Sequence, residues 1–163
     1  MDQLIDTTKV AERRPLHFDG LDDILADVDR LANSREVRAL GNWSAGQVLQ
    51  HLAVVMTKSI DGFTARPPAP VRWIARLLFK RRFLTRPMSA GFRLPANALA
   101  EIGPPPTGWD EGLRNIRHAL KRLKTETPRQ PHPVFGPMSP DEWVQIHCRH
   151  SELHLSFLIP SGG

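Results

Sequence analysis

Seven histidines occur in this 163-residue chain, and three of them fall on one predicted helix as His147, His150 and His154. That helix reads Trp143-Val-Gln-Ile-His147-Cys-Arg-His150-Ser-Glu-Leu-His154-Leu-Ser-Phe-Leu158. At about 100° per residue, Trp143, His147, His150, Ser151, His154 and Leu158 share an arc of about 100°, flanked by Ile146, Leu155 and Phe157. The stripe that Leu and Val should fill is occupied in its middle by imidazoles. An unpaired polar ring in a core costs on the order of 1–3 kcal/mol, so three in a row call for a shared partner, and a metal ion supplies one. His150 and His154 stand at i and i+4, the spacing that lets two rings on one helix face converge on a single ion. A zinc protease of the His-Glu-x-x-His type needs Glu directly after the first His. Here Glu152 comes two positions after His150 and points roughly 160° away, which excludes that chemistry.

A third ligand has to come from another helix, and His51 and His118 are the candidates. His51 lies near the edge of the apolar face defined by Val48, Leu52, Val55 and Ser59, which slightly disfavours it on spacing alone. In a bundle, however, each helix touches two neighbours, so an edge position also faces the interior. Read singly, His17, His118 and His132 are surface residues or satisfied core residues. His147 shares the ligand face one turn away and is the candidate catalytic residue: a fourth ligand, a general base or a hydrogen-bond donor behind the ligands. Cys148 lies about 100° off that face and reads as a small buried apolar residue. As the sole cysteine it excludes an intrachain disulfide and a cysteine-rich zinc module.

Four periodic segments must position these side chains. The first spans residues 21–31, with Leu21, Ile24, Leu25, Val28 and Leu31 on one face and Asp19 as the expected N-cap. The second opens at Ser44 with Gln47 three residues on, a capping box, and Trp43 and Val48 are placed to form a hydrophobic staple. It runs to about Asp61-Gly62. The third starts near Thr107, carries Trp109, Leu113, Ile116, Leu120 and Leu123 on one side, and ends before Pro128. The fourth opens on Ser139-Pro140-Asp141-Glu142, continues to about Leu158 and is ended by Pro160. No convincing strand alternation appears. The expectation is an all-α, single-domain four-helix bundle over residues 1–163. A proline-rich connection of about forty residues between helices two and three suits a crossover, and hence an up-down-down-up order.

The run Trp43-Ser-Ala-Gly-Gln47-Val-Leu-Gln-His51-Leu, followed by a His-x-x-x-His helix, resembles the DinB/YfiT-like metalloenzyme superfamily. More narrowly, the chain resembles a bacterial branch of uncharacterised DinB-related domains. The residues that carry this are Leu16-His-Phe18-Asp-Gly-Leu21 and His132-Pro-Val-Phe-Gly-Pro-Met-Ser-Pro140-Asp-Glu-Trp143. The resemblance covers nearly the whole chain. It implies a divalent metal, zinc, nickel or iron, held by His51, His150 and His154, with an open position for water or a thiolate. It also implies a metal-dependent enzyme, a thiol transferase or hydrolase-like protein acting on a small molecule such as a low-molecular-weight thiol. Where the branch ends this helix in Gln-Phe, this chain has Ser156-Phe157.

Net charge is +5, but Arg72, Arg76, Lys80, Arg81, Arg82 and Arg86 account for it, with no acid among them. The segment Trp73-Ile-Ala-Arg-Leu-Leu-Phe79-Lys-Arg-Arg-Phe83-Leu84 fits an amphipathic helix with a cationic face. The expectation is that Trp73, Leu77, Leu78 and Phe83 cover the bundle while the arginines are solvated. The alternative, from another class of function, is a non-catalytic binding protein that uses residues 72–86 as a docking patch for an acidic partner or a membrane surface. No nucleic-acid-binding motif accompanies the charge, so nucleic acid is not the expected partner. A homodimer is compatible with the sequence. An acidic N-terminus, the lone cysteine and the lack of any run near the roughly 18 apolar residues of a membrane span point to the cytoplasm.

Overall fold

Both capping boxes legible in the sequence form. In the computed structural model, which describes residues 4–91, 95–127 and 129–161, the Ser44 hydroxyl accepts the Gln47 N–H at 3.2 Å while Gln47 Oε1 accepts the Ser44 N–H at 3.0 Å. Ser139 and Glu142 repeat the arrangement at 3.2 and 2.9 Å. These boxes open α2 (Ala45–Asp61) and α6 (Pro140–Leu155), the two helices that carry the metal-ligand candidates. Helix α1 (Leu21–Ala32) starts one residue later than Asp19 would cap it. Gly20 is the cap, and the Asp23 carboxylate accepts the Asp19 and Gly20 N–H groups at 2.8 and 3.1 Å.

The chain is mostly helical, but it is not the clean four-helix bundle expected. Six α-helices form among the described residues, together with a two-stranded sheet. The expected crossover contains two of them, α3 (Ala69–Thr85) and α4 (Ala96–Ile102). Helix α5 (Trp109–Thr125) is the third predicted helix. Helix α6 ends at Leu155, not near Leu158, because the chain turns into β2 (Leu158–Ser161), which pairs antiparallel with β1 (Glu36–Ala39). Pro160 sits within this strand opposite Val37. Each strand has four residues, too few for alternation to stand out.

The core lies between α2 and α5, with α1 and α6 packed around it. Val48, Leu49, Leu52 and Met56 of α2 meet Leu113, Ile116, Leu120 and Leu123 of α5, all buried. Full burial of such a side chain contributes roughly 1.5–3 kcal/mol. The two helices approach closely through glycine. A Cβ on Gly46 would lie 2.3 Å from the Thr107 carbonyl oxygen, and one on Gly112 would lie 2.7 Å from the Gly46 carbonyl oxygen.

Helix α6 is buried on nearly every side, including at Arg149 and Glu152. The N-terminal arm covers that side: the Phe18 N–H donates to Glu152 Oε1 at 2.6 Å, and Arg149 pairs with Glu152 and donates to the Phe18 carbonyl. Arg14 of the same arm forms a two-pronged pair with Asp27 of α1, both bonds at 2.7 Å. Glu152 is therefore committed to the arm, in keeping with its exclusion as a hydrolytic base. No helix among the described residues is long and apolar enough to cross a membrane.

Candidate metal centre

Nearly two turns into α2, His51 is buried, and its Nδ1 lies 2.7 Å from the Ile102 carbonyl oxygen at the end of α4. A carbonyl only accepts, so Nδ1 carries the proton and Nε2 is left with a bare lone pair. That lone pair faces α6: His51 Nε2 is 3.3 Å from His150 Nε2. His154 completes the group, its ring centroid 4.6 Å from those of both His51 and His150. One ligand nitrogen from each of the three lies within 4.8 Å of the others.

The closest pair has the spacing of two ligands on one metal ion. Zn–N bonds of about 2.0–2.1 Å in a tetrahedron place ligand nitrogens roughly 3.3–3.4 Å apart, and the His51–His150 pair already stands at that spacing. The hydrogen bond from His51 to a backbone carbonyl is the usual means of fixing the tautomer and orientation of a ligating imidazole. His150 and His154 are only half-buried, so the outer face of the cluster is open. Burial lowers the pKa of all three rings. At His150 and His154 the charges of neighbouring imidazoles lower it further, and at His154 so does Arg13. All three are neutral at pH 7, the form that binds metal.

The helix register explains the grouping. The i, i+4 spacing projects His150 and His154 from one side of α6 toward α2, and the capping box at Ser44 sets the rotation of α2 that presents His51. Trp43, just before that box, closes one side: its ring stacks on His154 at 5.6 Å and tilts over His51 at 4.9 Å. An open groove of about 670 Å³ begins at Trp43 and runs along Gln50, Val54, Leu99 and Pro104.

The expected ligands His51, His150 and His154 thus come together. The other candidate, His118, is exposed on α5 and takes no part in the cluster. His147 stands apart from the three. It is 1% exposed, and its Nε2 is 3.1 Å from Ser59 Oγ. Ser59 donates its own proton to the Met56 carbonyl at 2.6 Å, so Nε2–H of His147 is the donor to Ser59. Burial, then the nearby charges of Arg129 and His132, push the His147 pKa down to about 3. His132 has a structural role in its turn. Its Nδ1 accepts the Val134 and Phe135 N–H groups at 3.1 Å each, and its ring stacks on Phe135. The His132-Pro-Val-Phe-Gly136 motif is thus a turn closed by paired bonds between His132 and Gly136 at 2.8 and 2.9 Å. Cys148 is buried in the core, and burial pushes its thiol up to about 11, as expected of an inert residue.

Two contributors escape any reading of the sequence. One is the Ile102 carbonyl, since every residue type carries the same backbone oxygen. The other is Glu101, which pins α4 in place: its carboxylate accepts the Thr64 and Ala65 N–H groups at 2.7 and 2.8 Å and pairs with Lys58 at 3.0 Å. Burial pushes the Glu101 pKa up, but those donors outweigh it and hold it at about 2.

A helical protein with a three-histidine cluster placed to hold a metal ion is the class that this fold and site define. Residues 10–161 match the family model "Protein of unknown function (DUF1569)", and the chain belongs to that family. No curated protein and no solved structure matches it.

Proposed function

We propose that this protein is a metal-dependent enzyme of the DinB/YfiT-like kind, with a divalent ion of zinc, nickel or iron held by His51, His150 and His154. The observation that carries the reading is the His51 arrangement: Nδ1–H committed to a carbonyl and Nε2 aimed at His150 across a tetrahedral-edge distance. Three neutral ligands leave an open coordination position, where a bound ion polarises water or a thiol and lowers its pKa. The half-buried outer face of the cluster gives a small molecule access, and Trp43 and the adjoining apolar groove offer it a binding wall. Thiol transfer with a low-molecular-weight thiol is the reaction best matched to these features, with hydrolysis by bound water second. For His147 we propose a positioning role. Its Nε2 proton is held by Ser59 and its ring is screened from solvent, so it anchors α6 to α2 beneath the ligands.

Cobalt(II) substitution tests the thiol reading without requiring the substrate. Adding glutathione or cysteine to the cobalt protein should produce a sulfur-to-cobalt charge-transfer band in the near ultraviolet, absent in His150→Ala. A cobalt-loaded protein that shows no such band with either thiol, at any concentration up to millimolar, sinks thiol ligation and leaves the hydrolytic reading.

A further inference from the structure

Helix α3 departs from expectation in a way the metal centre does not absorb. Trp73, Leu77, Leu78 and Phe83 were expected to cover the bundle. Phe83 does so in part, its ring 5.6 Å from that of Phe135, but Trp73 and Leu77 are each 68% exposed and Leu78 is 62% exposed, with Val71, Ile74 and Phe79 also open to solvent. No residue of α3 is buried. The helix is held to the body by its other side, through Lys80, which pairs with Glu142 at 2.6 Å, and through Ala75 and Leu84, which pack on the Phe63–Phe135–Trp143 cluster. At about 100° per residue Ile74, Leu78 and Arg81 fall opposite the side held by Ala75 and Lys80, and Leu77, one heptad before Leu84, lies at the edge of that outward side and is itself exposed. A contiguous exposed apolar patch of this kind marks an interaction surface.

The charge around the patch identifies its occupant. Arg81, Arg82 and Arg86 are exposed and form no ion pair with a described residue, and α3 contains no acidic residue. We propose that the outward face of α3 docks on an anionic lipid surface: Ile74, Leu77 and Leu78 enter the acyl boundary, Trp73 sits at the headgroup level, and the arginines meet lipid phosphates. Trp at the interface with flanking cations and apolar residues between them is the composition such helices use. A second copy of the chain fits less well, because facing patches would oppose like charges. A nucleic-acid backbone fits less well too, because it offers nothing for four large apolar side chains to enter.

The experiment is co-sedimentation of the full chain with vesicles of phosphatidylcholine alone and of phosphatidylcholine with phosphatidylglycerol at 7:3. Wild type should bind the anionic vesicles at least tenfold more tightly than the neutral ones. Raising salt from 0.1 to 0.5 M should weaken binding severalfold, because exposed charges are screened within the Debye length. The R81Q/R82Q variant should bind the anionic vesicles roughly 30-fold more weakly, and L77S/L78S should lose binding at both salt concentrations. All four positions are exposed, so both variants should keep the wild-type circular dichroism spectrum and metal content. Three results would overturn the proposal: no binding to anionic vesicles, equal binding to both vesicle types, or undiminished binding by L77S/L78S. Concentration-dependent dimerisation abolished by L77S/L78S, or duplex DNA binding that survives L77S/L78S and is lost in R81Q/R82Q, would also overturn it in favour of those partners.

Discussion

Replacing Glu101 should weaken metal binding although Glu101 touches no metal ligand. Its carboxylate holds α4 through two backbone N–H bonds and the Lys58 ammonium, and α4 is only seven residues long, too short to hold its place without such an anchor. The next residue, Ile102, presents the carbonyl that fixes the His51 tautomer. Hydrogen bonds to a charged group contribute about 1.5–3 kcal/mol each, so Glu101→Ala removes more than enough to free the end of α4. Loss of the outer partner of a metal-bound histidine typically costs 10–100-fold in affinity, equivalent to about 1.4–2.8 kcal/mol. Glu101→Ala should fall in that range in a competition titration against a chromophoric zinc chelator. Glu101→Gln keeps one acceptor oxygen and should fall less. The circular dichroism spectrum should be nearly unchanged, since the α2–α5 core is untouched. Wild-type affinity in Glu101→Ala would refute the chain of support from Glu101 through Ile102 to His51.

Two further outcomes follow from the buried groups. His147 is neutral when folded, with its pKa at about 3 against 6.5 when free. Below pH 6.5 the unfolded chain therefore binds the extra proton, and stability falls as pH drops, levelling only near pH 3. From neutral pH to pH 5 this one residue should account for about 2 kcal/mol, and chemical denaturation of His147→Gln should show a slope shallower by that amount; an identical slope would contradict it. Gly112→Ala should destabilise by about 1–3 kcal/mol, because the new methyl group would lie 2.7 Å from the Gly46 carbonyl oxygen. A thermal melt matching wild type would show that α2 and α5 separate more freely than their packing implies.

The parts of this architecture that were legible in the sequence are those written in local spacing. The Ser44 and Ser139 boxes, the α5 stripe and the i, i+4 pair His150 and His154 each depend on residues within a turn or two of one another. What local spacing does not encode depends on distant partners. Burial of Arg149 and Glu152 requires the N-terminal arm to arrive at Phe18, and no helical period encodes that arrival. The strand pairing of Val37 with Pro160 joins two segments too short to show alternation. Helix α3 differs from the expectation for a related reason. Its arginines are interleaved with its apolar residues around the helix, so composition alone does not reveal which side meets the body. The Lys80–Glu142 pair decides it. His51 was ambiguous on spacing because it lies near the edge of the apolar face, and only the positions of α4 and α6 on either side make that edge a site.

The central claim is that His51, His150 and His154 form one metal site, and elemental analysis of untagged protein, paired with native mass spectrometry, tests it most directly. Wild type should carry close to one divalent ion per chain. His51→Ala, His150→Ala and His154→Ala should each lose most of it, because a two-ligand remnant chelates poorly, while His118→Ala should retain it. Metal-free wild type after purification and after incubation with zinc, nickel and iron, or full occupancy in both His150→Ala and His154→Ala, would contradict the account.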